Sequence, residues 1–155
     1  MPTHYKGEEK EVRALNTLIK LARAMDTLES RMLENFAQLK LTPTQWGVLE
    51  TLYHLGSLPQ CDLGRKLLKS SPNITIVLDN LEKAGLVRRD RTSQDRRLVT
   101  VSLTDQGKKL IEEAFPKHAA RLADLFAVLT PQEQEELARI SKKLGLALSA
   151  TGVAA

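Results

Sequence analysis

A chain of 155 residues and 17.3 kDa, 42% apolar and 27% charged, is long enough to bury one core with extra helices beside it, and its single cysteine excludes an internal disulfide. No apolar run approaches the roughly 20 residues of a membrane span, and the opening MPTHYKGEEKEV lacks the apolar stretch of a secretion signal, so a cytoplasmic protein is expected. The net charge of +4 sits in one place: Leu58 to Leu103 holds nine Lys or Arg against five Asp or Glu, and the flanks are neutral, which is the footprint of a polyanion site.

From Glu8 to about Leu39 there is no proline or glycine, and Leu15, Leu18, Ile19, Ala22, Met25 and Leu28 recur at three- and four-residue steps, predicting a long amphipathic helix. Thr42, Pro43 and Gln45 make a second helix start: a hydroxyl cap, a proline whose missing N–H does no harm, and a capping-box glutamine. That helix carries Trp46, Leu49, Leu52 and Tyr53 and stops near Gly56. After a turn at Leu58 and Pro59, a brief third helix is predicted with Leu63, Leu67 and Leu68 as its buried stripe. In the fourth, Ser71 reads as the cap and Pro72 as the first residue, Ile74, Val77, Leu78 and Leu81 face inward, and Gly85 supplies the left-handed end. Its outward face is then Asn73, Thr75, Ile76, Asp79 and Asn80.

Leu86 to Arg91 and Leu98 to Leu103 read as two strands of a hairpin tipped by TSQDRR. Thr104 caps a fifth helix with an interruption at Pro116, and Thr130, Pro131 and Glu133 open a sixth that runs to about Leu148. TGVAA closes the chain as a loose tail.

Two short helices in tandem, the second with a small polar outer face, followed by a basic hairpin, form a winged helix-turn-helix; the fold class is mainly α, with a two-stranded β-hairpin wing and long flanking helices. Ser70, Ser71, Asn73, Thr75 and Ile76 are placed to meet DNA in the major groove, because short side chains let the helix approach base edges and its free N–H groups attract phosphate. Arg96 and Arg97 at the hairpin tip reach for a narrow minor groove, with Arg88, Arg89 and Arg91 read as a phosphate-contacting group. Asp95, two residues before Arg97, is assigned the job of aiming that guanidinium.

The segments LTPTQWGVLETL, LEKAGLVRR and DRRLVTVSLTDQG, in this helix-flanked layout, resemble the MarR family of bacterial transcription regulators over nearly the whole chain. The resemblance implies a homodimer, with residues 1–40 and 104–155 as a helical dimerisation region intertwined with a DNA-binding region at 41–103. It implies that Asp95 and Arg97 form the wing pair at the minor groove, and that a small phenolic or quinone-like effector releases the operator. The apolar positions Leu15, Leu18 and Ala22 on helix one and Leu137, Ile140 and Leu144 on helix six also exceed what a small winged-helix core covers, which agrees with a dimer. Pro72 stands where the SGNIT start of a related branch has glycine, and Pro59 where many members have a Ser or Thr cap.

The expected function is therefore a ligand-responsive DNA-binding repressor on a pseudo-palindromic operator of double-stranded DNA, with an effector pocket lined by Trp46, Tyr53 and His118. Two alternatives stand beside it: redox sensing through Cys61, and a winged-helix protein-interaction module. The redox cysteines of such regulators are typically in the N-terminal helix, which has none here. His4, His54 and His118 are too scattered for a metal site, and no glycine-rich phosphate loop, G-x-S-x-G or H-E-x-x-H occurs, so no metal, cofactor or enzyme activity is expected.

Overall fold

The computed structural model describes residues 3–91 and 99–150. Six helices and three strands follow in the order α1 (Glu9–Gln38), α2 (Pro43–Leu55), β1 (Leu58–Pro59), α3 (Gln60–Lys66), α4 (Ser71–Lys83), β2 (Val87–Arg91), β3 (Val99–Leu103), α5 (Asp105–Phe126) and α6 (Pro131–Ala150). They fall into two compact units, one ending at Phe115 and the other starting at Pro116.

The helix starts obey the local chemistry. At α2 the Thr42 hydroxyl accepts from the Gln45 N–H at 3.2 Å while the Gln45 side chain accepts from the Thr42 N–H at 2.8 Å, closing the capping box. Thr130 and Glu133 repeat the arrangement at α6, and the bonds from Thr130 hold the Glu133 carboxyl below the usual glutamate range. Thr104 caps α5, accepting from the Gly107 N–H at 3.0 Å, and its own hydroxyl donates to the Gly85 carbonyl at 2.6 Å. One residue thus starts a helix and staples it to the end of α4.

Gly107 is required there by space. A Cβ at this position would lie 2.0 Å from the carbonyl oxygen of Leu86, a backbone atom that cannot swing aside.

Four expectations are corrected. Ser70, not Ser71, is the N-cap of α4, with extended backbone and no side-chain cap bond, because Pro72 is accommodated one residue further into the first turn. Leu68 is 85% exposed rather than part of the α3 stripe. It occupies the left-handed position that ends α3, at φ 51°, with the Lys69 N–H reaching back to the Gly64 carbonyl and the Leu68 N–H to Arg65. That closure turns the chain into α4 and carries the leucine outward, in a conformation that glycine usually takes. Helix α5 runs without a break from Asp105 to Phe126 with Pro116 inside it, since a proline removes one backbone hydrogen bond but does not forbid the turns on either side. Leu58 and Pro59, read as a turn, form β1, which pairs antiparallel with β3 as Leu58 with Val101 and Pro59 with Thr100.

The sheet order is β1-β3-β2, with Arg89 opposite Val101 on the other side. Val101 is fully buried at its centre. Around it packs the core: Val48, Leu49 and Leu52 of α2, Leu63 of α3, Ile74, Leu78 and Leu81 of α4, then Leu86, Val87 and Ile111, with Phe36 at the end of α1. Gly64 lets α3 come close to the turn and to α4; a Cβ there would sit 3.3 Å from the Lys69 carbonyl and 3.6 Å from Ile74. The helix-turn-helix is therefore fixed from inside, by α4's apolar face on α2, α3 and the sheet.

Candidate nucleic-acid interface

Because Ile74, Leu78 and Leu81 pin one face of α4, the opposite face is fixed as well. Ser71, Asn73, Ile76 and Asn80 lie on it, exposed, along a helix of 13 residues, about 20 Å long. Ile76 is 62% exposed, an apolar side chain set among short polar ones. Ser70 precedes them, also exposed, and its hydroxyl leaves the first N–H groups of α4 without a side-chain cap.

Two members of the expected outward face are only half-exposed and already engaged. Thr75 accepts a hydrogen bond from the Gln60 side chain at 2.8 Å and donates to the Ser71 carbonyl at 2.9 Å, so Gln60 of α3 sets its rotamer. Asp79 is drawn sideways to β2, its carboxylate 2.6 Å from Nη2 of Arg89.

Arg89 departs most from its sequence reading. The same Nη2 lies 2.6 Å from Oε2 of Glu82, its Nε donates to that oxygen at 3.0 Å, and its backbone N–H donates to Oε1 at 3.0 Å. Its side chain is 23% exposed. These bonds hold the Glu82 carboxyl below its ordinary range and raise the guanidinium further, through hydrogen bonding first and charge second. Arg89 thus differs from the solvent-facing arginine row read from the sequence, because its Nε and Nη2 are already engaged by two carboxylates of α4. Arg88 remains largely exposed, 3.3 Å from Asp90. Arg91 ends β2. Asp95, Arg96 and Arg97 lie outside the described residues.

Beside the start of α4, a cleft of about 590 Å³ is lined by Gln60, Cys61, Arg65, Lys69, Ser71 and Val99 among others. Cys61 is exposed, its sulfur 3.8 Å from the Asp62 carboxylate. Arg65 reaches the same carboxylate at 3.2 Å and stays mostly in solvent.

Of the residues expected to line an effector pocket, Trp46 and Tyr53 have different aromatic neighbours. Trp46 is a core anchor, 3% exposed, tilted on Phe36 with ring centroids 5.6 Å apart and donating from Nε1 to Glu50. Tyr53, two turns on, is half-buried in an aromatic group with His54 and Phe115, centroids 5.0 and 6.1 Å away. His118 is buried and belongs to the second compact unit.

The i, i+3 pair Asp79 and Glu82, followed seven residues after Glu82 by Arg89, was the signal in the sequence for the tie. Nothing comparable marked Gln60, whose partner is 15 residues away.

The pattern of the MarR family matches residues 41–99, the span from the α2 start to β3. The HTH-type transcriptional regulator YkoM of Bacillus subtilis is 35% identical over 140 residues, 90% of this chain and 91% of that protein. The crystal structure of NadR in complex with 4-hydroxyphenylacetate is 30% identical with a TM-score of 0.70, covering 93% of this chain and 97% of that one. BpsR of Bordetella bronchiseptica, whose DNA binding is regulated by 6-hydroxynicotinic acid, is 25% identical with a TM-score of 0.76 over 83% of this chain and 98% of its own.

Proposed function

This chain belongs to the MarR family of DNA-binding transcription regulators, and from that premise we propose that it acts as a homodimeric repressor on a pseudo-palindromic operator and is released by a small aromatic effector. The observation that carries the reading is the outer face of α4. Ser71, Asn73, Ile76 and Asn80 are exposed and short, while the acids on the same helix are held aside by Arg89. Asparagine reads adenine edges, serine reads either partner, and an aliphatic side chain fits a thymine methyl, so this face has the chemistry of base readout. Ser70, Thr75 and Arg91 flank it and serve phosphate or positioning contacts. The wing pair Asp95 and Arg97, with Arg96, supplies the minor-groove contact.

A homodimer presents two α4 helices related by a two-fold axis, so half-sites one helical turn apart on one face of DNA are required. Residues 1–40 and 104–155 supply the dimer contacts and 41–103 the DNA contacts. Bound across a promoter in the cytoplasm, such a dimer blocks transcription by occupying the site. The ligands named for NadR and BpsR are small hydroxylated aromatic acids, and the phenolic or quinone-like effector of this chain is assigned to the neighbourhood of Tyr53, with Trp46 and His118 as the other expected contacts.

Fluorescence anisotropy on an operator duplex selected from genomic fragments tests the reading. Inserting half a helical turn between half-sites abolishes specific binding, and a phenolic panel including 4-hydroxyphenylacetate lowers operator affinity. Undiminished binding after the insertion overturns the dimer geometry; affinity unmoved by the whole panel overturns effector control of this kind.

A further inference from the structure

Strand β2 is an edge strand, so alternate N–H groups along it point away from β3 into the open. At Arg89 that open-edge donor is given to the Glu82 carboxylate, and the guanidinium of the same residue closes on Glu82 and Asp79 together. Three groups on one strand residue, the N–H, Nε and Nη2, therefore meet two acids one turn apart on the recognition helix. The connection from Glu82 to Arg89 is short and turns through Gly85, at φ 72°; the Thr104 bond to the Gly85 carbonyl and the pairing of β2 with β3 fix its start, and the Arg89 contacts add a direct tie from the strand back to α4. Two guanidinium donors converging on one oxygen of Glu82, with the backbone N–H of the same residue on the other oxygen, restrict direction as well as distance. Arg89 lies two residues before the end of β2, at the root of the wing.

We propose that the Arg89–Glu82–Asp79 tie is a positioning device for DNA recognition: it sets the angle at which the wing leaves the recognition helix, and it turns the Asp79 carboxylate away from the DNA-facing side of α4. The inference rests on the DNA-binding reading above and adds residues that touch no DNA. Its charge count separates it from a phosphate contact. One guanidinium against two carboxylates leaves the group at −1, so it offers phosphate no attraction. A lysine at position 89 keeps the charge but replaces the planar fork with a point charge that cannot hold both acids and their geometry.

The full-length chain with Glu82→Gln, Arg89→Lys or Arg89→Met is compared with wild type for affinity to the operator and to an unrelated duplex, over a salt series, with thermal unfolding recorded for each. Glu82→Gln decides the sign. Removing a negative charge near DNA strengthens binding if only electrostatics acts, whereas loss of the tie weakens operator binding about tenfold and leaves the unrelated duplex within twofold. Arg89→Lys behaves like Arg89→Met, both losing tenfold or more on the operator, and the salt slope stays that of wild type. Operator binding by Glu82→Gln equal to or tighter than wild type overturns the proposal. So does retention of affinity by Arg89→Lys, or a drop of about one in the salt slope for Arg89→Met, the mark of a lost phosphate contact. Amide exchange reads the tie without DNA: the Arg89 N–H is protected in wild type and exchanges at least tenfold faster in Glu82→Gln, with Val101 unchanged. Unchanged Arg89 exchange overturns the tie itself, whereas a wild-type protein that binds no duplex specifically, with the exchange result as expected, overturns the operator reading and leaves the tie standing.

Discussion

Between Phe36 and Ile111, thirteen apolar side chains are almost completely buried, while Leu18, Leu21, Met25 and Leu33 of α1 and Leu137, Ile140, Leu144, Leu146 and Leu148 of α6 remain 37–62% exposed. All of these segments are amphipathic. In the winged-helix region the apolar faces of three short helices and a small sheet close on one another within a hundred residues. Along α1 and α6 the same kind of face has no such closure in the single chain. An amphipathic pattern thus states that a face will be covered but not by which chain, and these exposed leucines on long helices are the surface on which the proposed homodimer rests. The contrast separates residues that hold this fold from residues available to the proposed assembly.

The largest effect is expected where the comparison is most easily broken. Leu137→Glu, Ile140→Glu and Leu144→Glu together place three charges on the exposed face of α6; on the proposed dimer reading, sedimentation at micromolar concentration is expected to show a dimer for the wild type and a monomer with operator binding lost for the variant. A variant that remains a stable dimer refutes the assignment of that face.

Leu78→Ala removes a fully buried side chain from beneath the recognition helix, and a cost of roughly 2–5 kcal/mol in denaturant unfolding is expected. Leu18→Ala, at 61% exposure, should cost the single chain's fold little and show its effect only through dimer dissociation. Equal losses of intrinsic stability at both positions would erase the distinction between the regions.

A smaller effect sharpens the picture at the seam between α4 and β2. The Glu82 carboxyl is held low in the folded protein by Arg89, so its contribution to stability is present above the unfolded value of about 4.3 and is lost as the pH falls through the folded value. The gap between wild type and Glu82→Gln, about 1 kcal/mol or less because the pair is partly solvated, should therefore be full near neutrality and close in acid. Unfolding midpoints at pH 7 and pH 3 measure it; a gap that widens toward acid would reverse the sign assigned to this group.

What could be read in the sequence was local. Thr42 with Pro43 and Gln45, Thr130 with Pro131 and Glu133, Thr104 as a cap and Gly85 as a left-handed end are contained within a few residues, and each stands in the structure as the chemistry dictates. The period of the apolar residues likewise placed Ile74, Leu78 and Leu81 inward and so exposed Asn73, Ile76 and Asn80, because a helix with one face pinned has no freedom left for the other. Two of the three segments that carry the family likeness lie within the matched residues 41–99, and the third begins there.

Tertiary structure decided whatever depended on partners distant in the chain. Pro59 looked like part of a turn because two residues carry no strand pattern, and it becomes β1 only when β3, some forty residues later, presents its edge. Leu68 is apolar and in phase with Leu63 and Leu67, yet the chain must reverse there to bring α4 onto α3, and backbone closure outweighs the burial of one side chain. Arg89 sat in a basic run that sequence alone assigns to phosphate; the fold brings two carboxylates of α4 within 2.6 Å of it and turns a surface charge into an internal tie. Spacing along a chain specifies which face of an element a residue occupies, but what that face meets is set by how the elements pack, and the strength of an ion pair depends on that meeting.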